Sequence, residues 1–162
     1  MILLTIGTQL VFDRLIQAVD EIAPSLDQPV FGQIGDSAYE PRSFAWARTL
    51  APAAFEEKFR SASVIVSHAG IGTVLTAQRF GKPIILFPRE ARFGEHRNDH
   101  QLATCAQLAG RQGIAIAHTA EELRAVLQSG SLAPASAEEL QAKRGVFVSE
   151  LSKRIAALKP KV

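Results

Sequence analysis

Residues 64–101 read VIVSHAGIGTVLTAQRFGKPIILFPREARFGEHRNDHQ, and this run decides the fold. An apolar, β-branched strand from Val64 to Val66 enters the tight turn Ser67-His68-Ala69-Gly70-Ile71-Gly72-Thr73. A helical pattern follows at once and is closed by Gly81 and Pro83. A second strand, Ile84 to Phe87, then opens into a polar loop crowded with Arg, Glu and His. The first N–H groups of a helix lack intrahelical partners and carry the positive end of the macrodipole. A phosphate can reach them over glycines, so strand, glycine turn and helix together read as a nucleotide site.

Outward from this run, strands and helices alternate. Ile2 to Ile6 reads as a buried strand, and Gly7-Thr8 turns the chain into a helix with Phe12, Leu15, Ile16, Val19 and Ile22 on one stripe, ended by Pro24. Weaker strand patterns run from Val30 to Ile34 and from Phe44 to Thr49. Pro52 opens a short helix carrying Phe55 and Phe59. Asn98 is expected to cap a helix with Leu102, Cys105, Ala106 and Ala109 inward; Gly113 to Ala117 is a further strand, and Thr119 starts another helix in capping-box form. From about residue 136 to 158 the spacing of Leu140, Phe147, Leu151, Ile155 and Leu158 predicts a last helix with a basic end. That helix could be a lid on the sheet, a docking surface or a basic strip near lipid. Such alternation implies an α/β, Rossmann-like, doubly wound parallel sheet, with ligands bound beyond the carboxyl ends of the strands. Gly7-Thr8, the 67–73 turn and the 88–100 loop would then share one rim.

Composition narrows the function classes. A chain of 162 residues, 47% hydrophobic, has the length for one sizeable core, so residues 1–162 are expected to form a single domain. The net charge of +2 is too mild to argue for nucleic acid. The one cysteine, Cys105, reads as a buried reduced thiol in a reducing cytoplasm. No basic n-region precedes an apolar stretch, and no run approaches the roughly 18 apolar residues of a spanning helix, so the expectation is a soluble chain.

The combination of "TIGT", "FDRLI", "SHAGIGT", "GKPIILFPR" and "EHRNDHQ" resembles the nucleotide-binding half of GT-B glycosyltransferases in glycosyltransferase family 28. More closely, it is similar to the small subunits of two-component enzymes, including the soluble partner of the dolichol-linked chitobiose synthase and bacterial exopolysaccharide subunits. The likeness covers roughly residues 1–128, and "SHAGIGT" followed by "NDHQ" is its most specific part. It implies a lone donor lobe that holds a UDP-sugar as substrate and needs no resident cofactor. It also implies a partner: a membrane-anchored, acceptor-binding subunit presenting a polyprenyl-linked acceptor for hexosyl or uronosyl transfer. The chain would then sit in the cytoplasm, peripheral to the inner membrane face through that partner, and be inactive alone.

The resemblance also distributes roles. His68, Ala69, Gly70, Gly72 and Thr73 would lie against the diphosphate and sugar, where small residues let the backbone approach and a hydroxyl or imidazole donates to phosphate. Gly7 and Thr8 would border the same ligand. Gln101 would hydrogen-bond sugar hydroxyls, its amide offering donor and acceptor, although Asn98 to Gln101 also reads as a capping box needing no ligand. Asp99 would touch the sugar or simply favour the helix dipole. Arg89, Arg92 and Arg97 would clamp the diphosphate or a uronate, with Glu95 beside them, or the loop's Arg and Glu would pair with each other. Relatives grip the ribose with an acidic residue where this chain has Thr76. The catalytic base is expected on the partner, not on His68, His96 or His100. No metal is expected, because a helix start at Asn98 would keep His96 and His100 off a common face.

Two rivals differ in class. A nicotinamide-dependent dehydrogenase would want its Gly-rich fingerprint after the first strand, and GTQLVF matches it poorly. A noncatalytic sugar-nucleotide-binding regulatory subunit would keep the same pocket.

Overall fold

The computed structural model describes residues 1–134. The helix expected at 136–158 lies outside the described residues. Six parallel strands form one sheet: β1 (Ile2–Thr5), β2 (Val30–Gln33), β3 (Ala45–Ala47), β4 (Val64–His68), β5 (Ile84–Phe87) and β6 (Ile114–Ile116), in the order β3-β2-β1-β4-β5-β6. The register pairs Ile2 with both Val30 and Val64, and Ile65 with Ile84.

These strands are apolar on both sides because both faces are covered. Ile2, Leu4, Ile6, Val66, Ile85 and Phe87 face a layer holding α1 (Asp13–Ile22) and α5 (Ala120–Ser129). Their neighbours Leu3, Ile65, Ile84 and Leu86 face α2 (Pro52–Ser61), α3 (Ile71–Arg79) and α4 (His100–Leu108). A two-residue side-chain period thus separates one strand into two cores, which parallel sheets require. The order reverses between β1 and β4. The β1 connection leads to α1 on one face and the β4 connection to α3 on the other, so their loops part and leave a crevice beyond the strand ends.

Three sequence expectations shift. The chain does not enter a helix directly after Thr8, because residues 7–12 form a loop and α1 begins at Asp13. Phe12, at the end of that loop, is fully buried, and its N–H donates to Ser37 Oγ at 3.3 Å. The second shift is in α4, which starts at His100 with Asp99, not Asn98, at its N-cap. Moving the start turns the inward face to Gln101, Cys105 and Leu108; Ala106 and Ala109 are exposed and Leu102 is half-buried. The third is the 44–49 strand, which shortens to Ala45–Ala47 at the sheet edge. Cys105 is buried, and burial pushes its thiol up to about 11. No helix among the described residues is long and apolar enough to cross a membrane.

Candidate functional site

The strands turn polar where they end. Thr5, Gln33 and Ser67 close β1, β2 and β4 with buried polar side chains, and Thr5 Oγ1 donates to Gln33 Oε1 at 3.0 Å. Above this floor lies a cleft of about 320 Å³. Gly7, Thr8, Gly72, Thr73 and Thr76 line one part of it, and Leu50, Pro52, Phe55 and Phe59 line an apolar part.

The start of α3 is open. Gly70, its N-cap, supplies no side-chain cap, and the first helical bonds run from Thr73 N (3.1 Å) and Val74 N (3.3 Å) to Gly70 O. The N–H groups of Ile71 and Gly72 precede those bonds and stand at the positive end of the dipole. A Cβ added to Gly72 would meet nothing within 4 Å, so the fold does not require glycine there. Glycine in a helix costs about 0.5–1 kcal/mol relative to alanine. What its smallness leaves is room over two unpaired donors.

His68 holds the two glycine turns apart. Its Cε1 lies 2.8 Å from where a Cβ on Gly7 would sit, and its Nε2 abuts the Cβ position of Gly70. Gly7 also has φ 81°, a left-handed conformation that side chains resist. Burial and the nearby Arg89 charge drive the imidazole down to about 4, against a hydrogen bond it donates to the Thr5 backbone, which works the other way. His68 is therefore a neutral wedge at physiological pH.

Gln101 ties the rim together. It is 3% exposed, and its Oε1 accepts from Ala69 N at 3.2 Å and Arg89 N at 3.0 Å, joining the ends of β4 and β5. The capping-box geometry is absent, since the amide is turned across the sheet end. Asp99 Oδ1 accepts from Ala91 N at 2.7 Å and so braces the same loop.

The arginines divide. Arg89, 3% exposed, does not open into the cleft; its Nη2 donates to the carbonyls of Ile6 and Leu10, both at 2.8 Å, and its guanidinium lies 4.7 Å from the Phe12 ring centre. Burial lowers it to about 10. Arg92 pairs with Glu90 at 2.7 Å. Glu95 is taken by Arg14, whose Nε and Nη2 lie 2.6 and 2.8 Å from its two oxygens. Of the expected residues, Gly7, Thr8, Gly72 and Thr73 share the cleft, Gln101, Ala69 and Arg89 form its support, and Glu95 and Asp99 hold the loop. Thr76 lines the cleft, but its hydroxyl donates to Gly72 O at 2.8 Å and offers only lone pairs to a ribose.

His96 lies before α4 and His100 begins it, so the two share no helical face, and their rings meet edge to face with centres 4.4 Å apart. No group of three or more His, Cys, Asp or Glu residues suited to a metal occurs among the described residues. Gln33, Phe55 and Arg14 join the site without having been expected there from the sequence. A signal existed for Gln33, a polar side chain ending an otherwise apolar strand, but none for Arg14, whose partners lie 74 to 104 residues away.

Sheet order and rim define a Rossmann-like α/β domain of the GT-B glycosyltransferase type. Residues 1–155 match the glycosyltransferase family 28 C-terminal domain, and the chain belongs to that family. Among solved structures it is similar to the glycosyltransferase of kitacinnamycin (20% identity, TM-score 0.64, covering 98% of this chain and 43% of that one). It is also similar to MurG of Acinetobacter baumannii (20% identity, TM-score 0.59, covering 81% and 42%). The calicheamicin glycosyltransferase CalG4 gives 15% identity, a TM-score of 0.56 and coverage of 98% and 43%. At such identities the likeness is one of fold, and the chain spans well under half the length of each of these proteins. Comparison with curated protein sequences gives no match.

Proposed function

We propose that the chain is the donor-binding lobe of a two-component glycosyltransferase, taking a UDP-sugar whose diphosphate rests on the start of α3 and on the Gly7-Thr8 turn. The observation that carries this reading is the uncapped helix start with Gly72 facing open space, set at the reversal of strand order in a family 28 domain. The N–H groups of Ile71 and Gly72 are fixed before the ligand arrives. They stabilise the negative charge that grows on the departing diphosphate without reorganising. The buried Arg89 guanidinium, lying under the Ile6–Leu10 loop without a carboxylate partner within 4.0 Å among the described residues, adds positive potential beneath the same turn.

The acceptor lobe comes from a membrane-anchored subunit that presents a polyprenyl-linked sugar and deprotonates its hydroxyl. This part rests on the sequence resemblance. Calorimetric titration with UDP and a panel of UDP-sugars, followed by transfer assays with and without that subunit, tests it. Micromolar UDP-sugar binding, with transfer in the reconstituted pair alone, is the expected result. Binding without transfer in the pair would favour a regulatory subunit.

A further inference from the structure

Resting on the donor-lobe reading, a further role falls to a side chain that does not open into the cleft. Arg89 is buried, and a buried charge is costly unless a partner offsets it. The acids of its own loop are engaged elsewhere, Glu90 by Arg92 and Glu95 by Arg14. Its Nε is buried with no hydrogen-bond partner among the described residues. A methionine would fill the same space without stranding a charge, so packing alone does not account for a guanidinium here. The two side-chain bonds it does make go to one loop. Nη2 donates to the carbonyls of Ile6 and Leu10, which bracket Gly7, Thr8 and Gln9. The peptides of this loop are trans, and a planar trans peptide directs its N–H opposite to its C=O. Carbonyls drawn inward to Arg89 therefore turn the N–H groups of Gly7 and Val11 away from it. Gly7 N has only a long 3.5 Å approach to Thr5 Oγ1, and no acceptor among the described residues meets the N–H groups of Thr8, Gln9, Leu10 or Val11. Gly7 and Thr8 line the cleft together with Gly72 and Thr73.

We propose that Arg89 is a positioning residue of the donor site: from beneath the loop between β1 and α1 it turns the Gly7 N–H toward the diphosphate, and its charge acts on the ligand through that peptide without touching it. A peptide whose carbonyl binds a cation is polarised and becomes a stronger donor at its N–H, and successive N–H groups turned to one side form a seat for an anion. The diphosphate then supplies the negative charge that the chain does not set beside Arg89. The side chain is anchored for this task. Its own backbone N–H donates to Gln101 Oε1 at 3.0 Å, and its guanidinium lies over the Phe12 ring. Both carbonyl bonds leave one nitrogen, Nη2, so an ammonium group, a compact charge with three donors, can take its place.

Titration of the full chain with uridine, UMP and UDP, followed through its amide resonances, tests this, because the three ligands share base and ribose and differ in charge. Arg89→Met should bind UDP at least tenfold more weakly than the parent while its uridine affinity stays within threefold, with UMP between. Arg89→Lys keeps the charge and should hold UDP affinity within threefold of the parent. In the parent, UDP should move the amide resonances of Gly7 and Thr8 together with those of Ile71 and Gly72. Where Arg89→Met fails to fold, Arg89→Lys and the Gly7 response of the parent decide. An Arg89 that only supports the fold would weaken uridine and UDP alike in Arg89→Met, or leave Arg89→Lys as poor a binder as Arg89→Met, and either result overturns the proposal. So does UDP binding in the parent that leaves the Gly7 resonance unmoved. No UDP affinity in the parent would overturn the donor reading and this inference with it, whereas UDP affinity that Arg89→Met keeps would overturn this inference alone.

Discussion

At the scale of single residues, the site depends on side chains that do two jobs. Gln101 spends its amide oxygen on two buried backbone N–H groups, and the resemblance gives its remaining donors to the sugar. The two jobs separate by substitution. Gln101→Ala leaves both N–H groups unpaired and should cost about 2–3 kcal/mol in denaturant unfolding. Gln101→Glu keeps two acceptor oxygens for the bridge and should hold most of that stability. Both variants should bind the UDP-sugar at least tenfold more weakly, with Gln101→Glu retaining affinity for UDP alone. Equal losses of stability in the two variants would refute the bridging role. His68 carries a second prediction. Its native value of about 4 lies below the ordinary 6.5, so on acidification through that window the unfolded chain takes up a proton that the native chain refuses. Stability should therefore fall between those pH values and level off below them, by about 3 kcal/mol from this group. Replacing it by His68→Gln should shrink the difference in unfolding free energy between pH 7.5 and 4.5 by most of that amount; an unchanged difference would show that His68 is not held neutral.

At the scale of elements, the 88–99 loop is shaped from outside itself. Arg14 of α1 grips Glu95 with two bonds, donates to the carbonyls of Pro88 and His118, and lies 4.5 Å from the Phe87 ring centre. Arg14→Met should cost about 2–3 kcal/mol, because it leaves the mostly buried Glu95 carboxylate without its partner. Combining it with Glu95→Gln should recover part of that loss, and a double variant whose two losses simply add would show that the pair is uncoupled. The same loop marks the limit of what the sequence reveals. Its arginines and glutamates are visible as a polar stretch, and whether they face a ligand or each other depends on one guanidinium 81 residues away. The α4 start is ambiguous for a related reason. Asn98 and Asp99 are both good caps, and the bond from Ala91 N to Asp99 decides the register from outside the helix.

At the scale of the whole molecule, the parallel sheet is legible because its strands are short apolar runs and every crossover except that from β2 to β3 carries a helical pattern. The crevice follows from the order of those runs once the sheet reverses between β1 and β4. The glycine turn is legible as well, since Gly70 and Gly72 directly follow an apolar strand. The wedging of His68 between Gly7 and Gly70 is not, because it joins positions more than sixty residues apart through a fit of shapes that no local pattern encodes. One titration bears most directly on the central claim, that the open start of α3 is built for a diphosphate: UDP into the parent chain and into Gly72→Val, each with its thermal unfolding curve. A Cβ at position 72 meets nothing within 4 Å beyond its own helical turn, so the variant should melt at or slightly above the parent temperature while UDP affinity falls at least tenfold. A folded Gly72→Val variant that binds UDP as tightly as the parent would contradict the account.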